Sequence, residues 1–367
     1  MKPNVNLREL SVIALVSIFG TFVVAYIAYV LLEEKYPDSI ISIWNVWDTP
    51  HYIDIARYGY TSSMADDRYR FIVFFPLYPY IVKIFSLIFR EYILAALLVS
   101  NLSYAGALIY FFKLIKLDYE SEDAFRSVIY LSIFPTAYFF HAAYTESLFI
   151  LLTIASFYYA RRENWALSGI IGMLAAATRI TGVILLPVLA IDYLNQKGFK
   201  LKEVRRNILW LSIIAIGLVF YLVLNYLTFG DPFKFLEFQN KYWLKQFDFP
   251  SKGLLVAWDG IFRYKPRDAV ITGWGELIFA LMALALIIYS FFRIRISYSL
   301  YALATWILVT STGFWLSMPR YALSMFPIII TLSLLGRRRE VNYLIIFLSL
   351  TLYMLLLSQF IRGGWAF

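Results

Sequence analysis

Apolar stretches of membrane-crossing length recur along almost the whole chain, and this pattern limits the fold more than any single motif does. A helix that crosses a bilayer needs about 20 mostly apolar residues, because no water is present inside to satisfy a bare backbone. Segments near 10–32, 92–112, 126–143, 145–160, 165–179, 181–194, 207–229, 273–292, 296–315, 320–336 and 341–361 meet or approach that length. Hydrophobic residues make up 61% of the 367, against about 45–50% in water-soluble domains. The excess needs the bilayer as solvent. The sequence therefore predicts an all-α integral membrane protein with about 11 transmembrane helices, forming a single multispanning domain over 1–367.

One apolar stretch, Phe71 to Phe89, is left out of that count because of charge. Lys and Arg in short loops mark the cytoplasmic side. Lys2 and Arg8 precede the first span, which no small-residue cleavage site follows, so it is expected to stay as an anchor. Lys113, Lys116 and Arg126 flank one short loop and Arg161 and Arg162 another. Lys197 to Arg206 crowd a third, and Arg293, Arg295 and Arg337 to Arg339 mark the last two. All fall on one side only if 71–89 does not cross. Its two prolines, Tyr78 and Lys83 suit a juxtamembrane helix or a re-entrant piece. Two long external segments result, 33–91 and 230–272, the second carrying Trp243, Lys245, Trp258 and Tyr264.

Composition excludes several function classes. With no cysteine and two histidines, thiolate chemistry, a disulfide framework and a His-rich metal site are ruled out. The net charge of +9 sits in short loops between spans, which points to an anionic leaflet rather than to nucleic acid.

On this topology several ionisable residues reach the external face. Asp48 and His51 lie in Trp47-Asp48-Thr49-Pro50-His51-Tyr52, just after the first span. Glu146 lies in a tight turn between two spans, Arg179 in Thr178-Arg179-Ile180, and Arg320 in Pro319-Arg320-Tyr321. A charge at an apolar boundary is expensive unless paired or functional. Each has a plain structural reading: Asp48 as a helix N-cap before Thr49-Pro50, Glu146 with Arg179 as an ion pair, Arg320 snorkelling to headgroups. Taken together they suit transfer from a lipid-linked phosphate donor. A carboxylate base takes the acceptor proton, and guanidinium groups hold the departing phosphate. Trp47, His51, Tyr52, Glu146 and Tyr321 are then expected to position sugar or acceptor, with Trp243 and Trp258 stacking on sugar rings.

At these residues the chain resembles a known family. Trp47-Asp48-Thr49-Pro50-His51-Tyr52 followed by Ile55-Ala56-Arg57-Tyr58-Gly59-Tyr60 is similar to the W-D-x-x-x-Y-x-x-I-A-x-x-G-Y signature of PIG-V-type mannosyltransferases, relatives of GPI mannosyltransferase 2 in the GT-C superfamily. The resemblance continues in order through Phe75-Pro76-Leu77-Tyr78-Pro79, Tyr144-Thr145-Glu146-Ser147, Thr178-Arg179-Ile180-Thr181-Gly182 and Pro319-Arg320-Tyr321. It implies a GT-C fold whose large first external loop holds juxtamembrane helices and a catalytic Asp, at the position of Asp48. It also implies a dolichyl or polyprenyl phosphate mannose donor, inversion at the anomeric carbon, and a glycan or glycolipid acceptor. No cofactor is required, and Arg179 and Arg320 are the expected phosphate ligands. At 367 residues the chain is shorter than typical eukaryotic members. Its composition suits the plasma membrane of a prokaryote, an archaeal one foremost, with the site external; a eukaryotic member would sit in the endoplasmic reticulum with a lumenal site. A lipid flippase, an inactive structural subunit, and a GT-C enzyme using another lipid-phosphate sugar are the alternatives.

Overall fold

The computed structural model describes residues 7–263, 265 and 269–367; Lys2 and Tyr264 lie outside the described residues. Among the described residues the chain is helical, apart from one isolated antiparallel bridge between Phe247 and Thr312. α1 (Leu7–Glu33) is followed by α2 (Thr49–Tyr58) and α3 (Leu77–Phe89), both within the first long segment. Next come α4 (Tyr92–Ile115), α5 (Ser121–Ser132), α6 (Glu146–Arg161), α7 (Trp165–Thr178), α8 (Leu185–Gln196) and α9 (Ile214–Phe229). The second long segment holds α10 (Lys234–Trp243) and α11 (Pro250–Arg263). α12 (Glu276–Ser290), α13 (Ile296–Thr310), α14 (Met318–Ser324), α15 (Phe326–Leu335) and α16 (Arg339–Ile361) complete the bundle.

Five helices among the described residues are long and apolar enough to cross a membrane: Arg8–Glu33, Tyr92–Ile115, Arg206–Phe229, Val270–Ser290 and Arg339–Ile361. Two bent helix pairs raise the number to seven if each counts as one span. The remaining expected spans are shorter helices, so the architecture is the expected all-α membrane one without a count of eleven full-length crossings.

The differences have local causes. The turn Asp67–Val73 and α3 meet at 117°, the geometry of a broken span or of a re-entrant piece. Pro76 sits at the bend; it has no N–H to donate, and the residue before it resists the helical region. α14 and α15 meet at 82° for the same reason, with Pro327 in the first turn of α15. The expected span at 126–143 is not one helix. α5 stops at Ser132, Pro135 follows, and Ala137–Phe140 form a tight 3-10 turn. Residues 134–150 are buried throughout, so their apolar character reflects the protein core rather than lipid.

The basic loops gather at one end of the bundle. Asp118 after α4 holds Arg161 at the end of α6. Asp192 on α8 accepts from Arg295 at 2.6 Å, and Asp123 on α5 binds both Arg126 and Arg337. These contacts bring together the loops that the charge rule assigned to one side. Close helix packing sets the frame between the two ends. A Cβ on Gly169 of α7 would lie 2.0 Å from the Trp210 carbonyl oxygen, and one on Gly217 of α9 would lie 2.1 Å from that of Met173. Small residues let these backbones touch, the usual means of helix association in a bilayer.

Candidate active site

At the opposite end, four chain segments converge: the starts of α2, α6 and α14 and the exit of α7. Asp48 occupies the N-cap position of α2, yet its side chain makes no capping hydrogen bond. Its Oδ2 instead accepts from Arg320 Nη1 at 3.1 Å. Its backbone N–H donates to the Tyr144 hydroxyl at 3.0 Å. The carboxylate is 26% exposed, so it is anchored and still reachable.

Arg320 is fastened a second time, because its Nε donates to Glu146 Oε1. Arg179 Nη1 donates to the same oxygen and to Thr145 Oγ1 at 3.2 Å. Glu146 is 1% exposed and bridges two guanidinium groups from helices far apart in sequence. Aromatic faces complete the arginine environment: Arg320 lies over Tyr144 (4.6 Å) and Phe139 (4.9 Å), Arg179 over Tyr321 (5.5 Å). The start of α14 is held by Glu276, whose two carboxylate oxygens accept from the Ser317 and Met318 N–H groups at 2.6 Å each.

A cavity of about 380 Å³ opens over this network. Asp48, Arg179, Arg320, His51, Tyr52, Trp47, Trp243, Lys245 and Tyr321 all line it, with Trp365 to Phe367 forming one wall. A cleft of this size, rich in aromatic side chains with a few convergent polar groups, has the character of a small-ligand site. His51 packs against Phe71 with ring centroids 4.3 Å apart and the rings tilted by 40°. Burial lowers its imidazole below the ordinary histidine range, with Arg70 acting in the same sense against the pull of Asp48. Tyr52 is 5% exposed and packed edge-on against Tyr78 and Tyr144. Burial, with Asp48 beside it, pushes its hydroxyl above the ordinary tyrosine value.

Two expected positions differ. Glu146 does not line the cavity; it lies beneath it as the counterion of both arginines, which is its plain structural reading extended from one arginine to two. Trp258 is 52% exposed on α11, packs on Phe262 and lies outside the cavity lining. The N-cap reading of Asp48 holds for the backbone only. Among the described residues no group of three or more His, Asp or Glu side chains gathers.

Sequence reasoning missed Tyr144, Lys245, Glu276 and Trp365 as site residues. Glu276 stands at the head of an apolar span, the same signal that singled out Glu146.

The fold and site define a multi-pass helical membrane protein with a cavity at one end of its bundle lined by one carboxylate and three cations. Residues 75–226, rather less than half of the chain, match the family described as dolichyl-phosphate-mannose-protein mannosyltransferase. That region runs from the Pro76 bend to α9 and contains Glu146 and Arg179, but neither Asp48 nor Arg320. No curated protein matches the chain. Among solved structures it is similar to the Archaeoglobus fulgidus oligosaccharyltransferase, at 12% identity with TM-scores of 0.44 for the form tethered with an acceptor peptide and 0.45 for the apo form. It is also similar to the same organism's AglB in complex with an inhibitory peptide and a dolichol-phosphate, at 11% identity and a TM-score of 0.42. In each case 94% of this chain is covered and 55–56% of the other, so the chain spans just over half the length of those structures.

Proposed function

We propose that the chain is an inverting glycosyltransferase of GT-C type that moves a hexose, mannose foremost, from a dolichyl or polyprenyl phosphate to an acceptor hydroxyl on a glycan or glycolipid. The observation that carries this reading is the state of Asp48: a carboxylate at a helix start that does not cap its helix, points to an arginine, and lines a cavity with two further cations. The matched family over residues 75–226 supports the donor class, and the ordered PIG-V-like motifs support the acceptor class.

In this scheme the acceptor hydroxyl enters over α2 and Asp48 accepts its proton. The acceptor oxygen attacks the anomeric carbon from the face opposite the phosphate. The C1–O bond to phosphate breaks and its electron pair goes to the phosphate oxygen, so a β-linked donor gives an α-linked product and a polyprenyl phosphate. The cations of the cavity stabilise the growing charge on that leaving group. Arg320 holds the Asp48 carboxylate in place through a charge-assisted hydrogen bond. No metal or cofactor is assigned a step. The membrane is that of a prokaryotic cell surface, with the site facing outward.

The test is Asp48→Asn in purified protein supplied with dolichyl phosphate mannose and a mannose-terminated glycolipid. Transfer is expected to fall at least a hundredfold, within the usual range for a lost general base of about 10²–10⁴, while dolichyl phosphate still binds. Transfer within threefold of wild type would reject Asp48 as the base.

A further inference from the structure

Of the charged side chains that line the cavity, three are cationic and one is anionic: Arg179, Arg320 and Lys245 against Asp48. The two arginines are already spoken for. Both donate to the buried Glu146, and Arg320 also holds Asp48. Lys245 differs. No carboxylate of the described residues lies within ion-pair distance of it. Glu276, an acid that feels the Lys245 charge, has both oxygens engaged by backbone N–H groups. The Lys245 ammonium is held by the Tyr321 hydroxyl at 2.6 Å and stands 4.8 Å from the centre of that ring, while Arg179 lies 5.5 Å from the same centre. Tyr321 therefore contacts two cations that line one cavity.

This placement is built into the fold. Asp48 and Arg320 come from helix starts, but Lys245 comes from the second external segment, which is zipped onto the residues before α14. Asp248 N–H donates to the Ser311 carbonyl at 3.1 Å and Gly313 N–H to the Gln246 carbonyl at 2.9 Å. Leu244 takes a left-handed φ of 56° to turn the chain into that pairing, and Lys245 N–H closes it on the Gln239 carbonyl at 3.1 Å.

Given the lipid-phosphate reading above, we propose that Lys245, with Arg179 and the Tyr321 hydroxyl, is the seat of the donor phosphate, and that Arg320 serves the base rather than the phosphate. The chemistry favours an uncommitted cation here. A polyprenyl phosphate sugar is a phosphodiester with one negative charge. The polyprenyl phosphate released is a monoester, which approaches two charges near neutral pH because its second pKa is about 6. The seat must therefore stabilise charge that appears as the C1–O bond breaks. An arginine already neutralised by Glu146 and Asp48 offers less of this than an unpaired ammonium with donors to spare.

The experiment measures binding of dolichyl phosphate to the full chain in detergent, by quenching of the cavity tryptophans, for wild type, Lys245→Met and Lys245→Arg. Lys245→Met is expected to weaken binding about tenfold or more, to flatten its dependence on sodium chloride, and to leave gel-filtration and melting behaviour unchanged. Lys245→Arg is expected to recover affinity to within about threefold. Binding by Lys245→Met within twofold of wild type would overturn the assignment, as would an equal loss in Lys245→Arg, which would point to shape instead of charge. Phosphatidylglycerol vesicles and inorganic phosphate run in parallel; a Lys245-dependent response to either, equal to that for dolichyl phosphate, would overturn the polyprenyl source. Wild-type protein that binds no dolichyl phosphate would overturn the lipid-phosphate reading itself, a result distinct from intact binding by Lys245→Met.

Discussion

Glu146→Gln is the sharpest perturbation of the network beneath the cavity. The substitution preserves volume and removes one charge from a 1% exposed position that accepts from both Arg179 and Arg320. Deleting one partner of a buried ion pair costs about 3–5 kcal/mol, because the remaining charge is left uncompensated. Each arginine keeps one other acceptor, Thr145 Oγ1 at 3.2 Å for Arg179 and Asp48 at 3.1 Å for Arg320. The expected loss therefore falls at the low end, about 3 kcal/mol. At an unfolding entropy of about 2.1 cal/mol/K per residue, a chain of 367 residues loses about 1.3 °C per kcal/mol, so the detergent melting temperature should drop by roughly 4 °C. The double variant Glu146→Gln/Arg179→Gln removes the orphaned charge along with its counterion. Its loss should be smaller than the sum of the single losses by about 1–2 kcal/mol, as expected for groups in direct contact. Thermal unfolding of the four proteins in one detergent, followed by near-ultraviolet circular dichroism, measures the cycle. A single variant that melts within 1 °C of wild type, or strict additivity in the double variant, would refute the counterion role.

Two further outcomes follow from the same geometry. Glu276→Gln can accept only one of the two N–H groups now held at 2.6 Å, so the start of α14 loosens; at about 1–2 kcal/mol for a lost cap, transfer in single-turnover assays should fall roughly 5–30-fold with α-helical content unchanged. His51 sets a pH dependence. Burial holds its folded-state pKa below the ordinary value, so the unfolded chain binds a proton that the folded protein refuses. Stability is therefore lost as pH falls through the ordinary imidazole range near 6.5 and below; His51→Phe should shallow that decline, and an unchanged melting-temperature slope between pH 7 and pH 5 would exclude the effect.

Asp48, Arg179 and Arg320 could be read from the sequence for one physical reason: a charge at an apolar edge needs a partner or a task, and few such charges exist in a chain this apolar. Which of them pair with one another was legible only as an alternative, because Glu146 and Arg320 are 174 positions apart and hydropathy carries no long-range information. Lys245 was hidden for the opposite reason. It was named only as one residue of a charge-rich segment, where nothing gives one lysine a role, and the backbone pairing with residues 311–313 is what turns it toward Tyr321. The break after Ser132 was hidden because a buried loop and a lipid-facing helix are equally apolar; Pro135 was the one local sign against a continuous span.

The two helix starts that bring Asp48 and Arg320 together share a construction. Each is preceded by a non-glycine residue in the left-handed region, Trp47 at φ 56° and Ser317 at φ 72°, and each has a proline in its first turn. Such conformations cost about 1–3 kcal/mol apiece and persist where the surroundings over-determine them. Here the restraints are visible: the Trp47 indole donates to the Gly364 carbonyl at 3.2 Å and Asp48 N–H to Tyr144, while Glu276 takes both N–H groups at the other start. A helix seeking only stability would use Asp48 as its cap. This one spends the carboxylate on Arg320 instead of on its own helix, so the strain at Trp47 and Ser317 goes into aiming a carboxylate and a guanidinium at each other across the cavity floor.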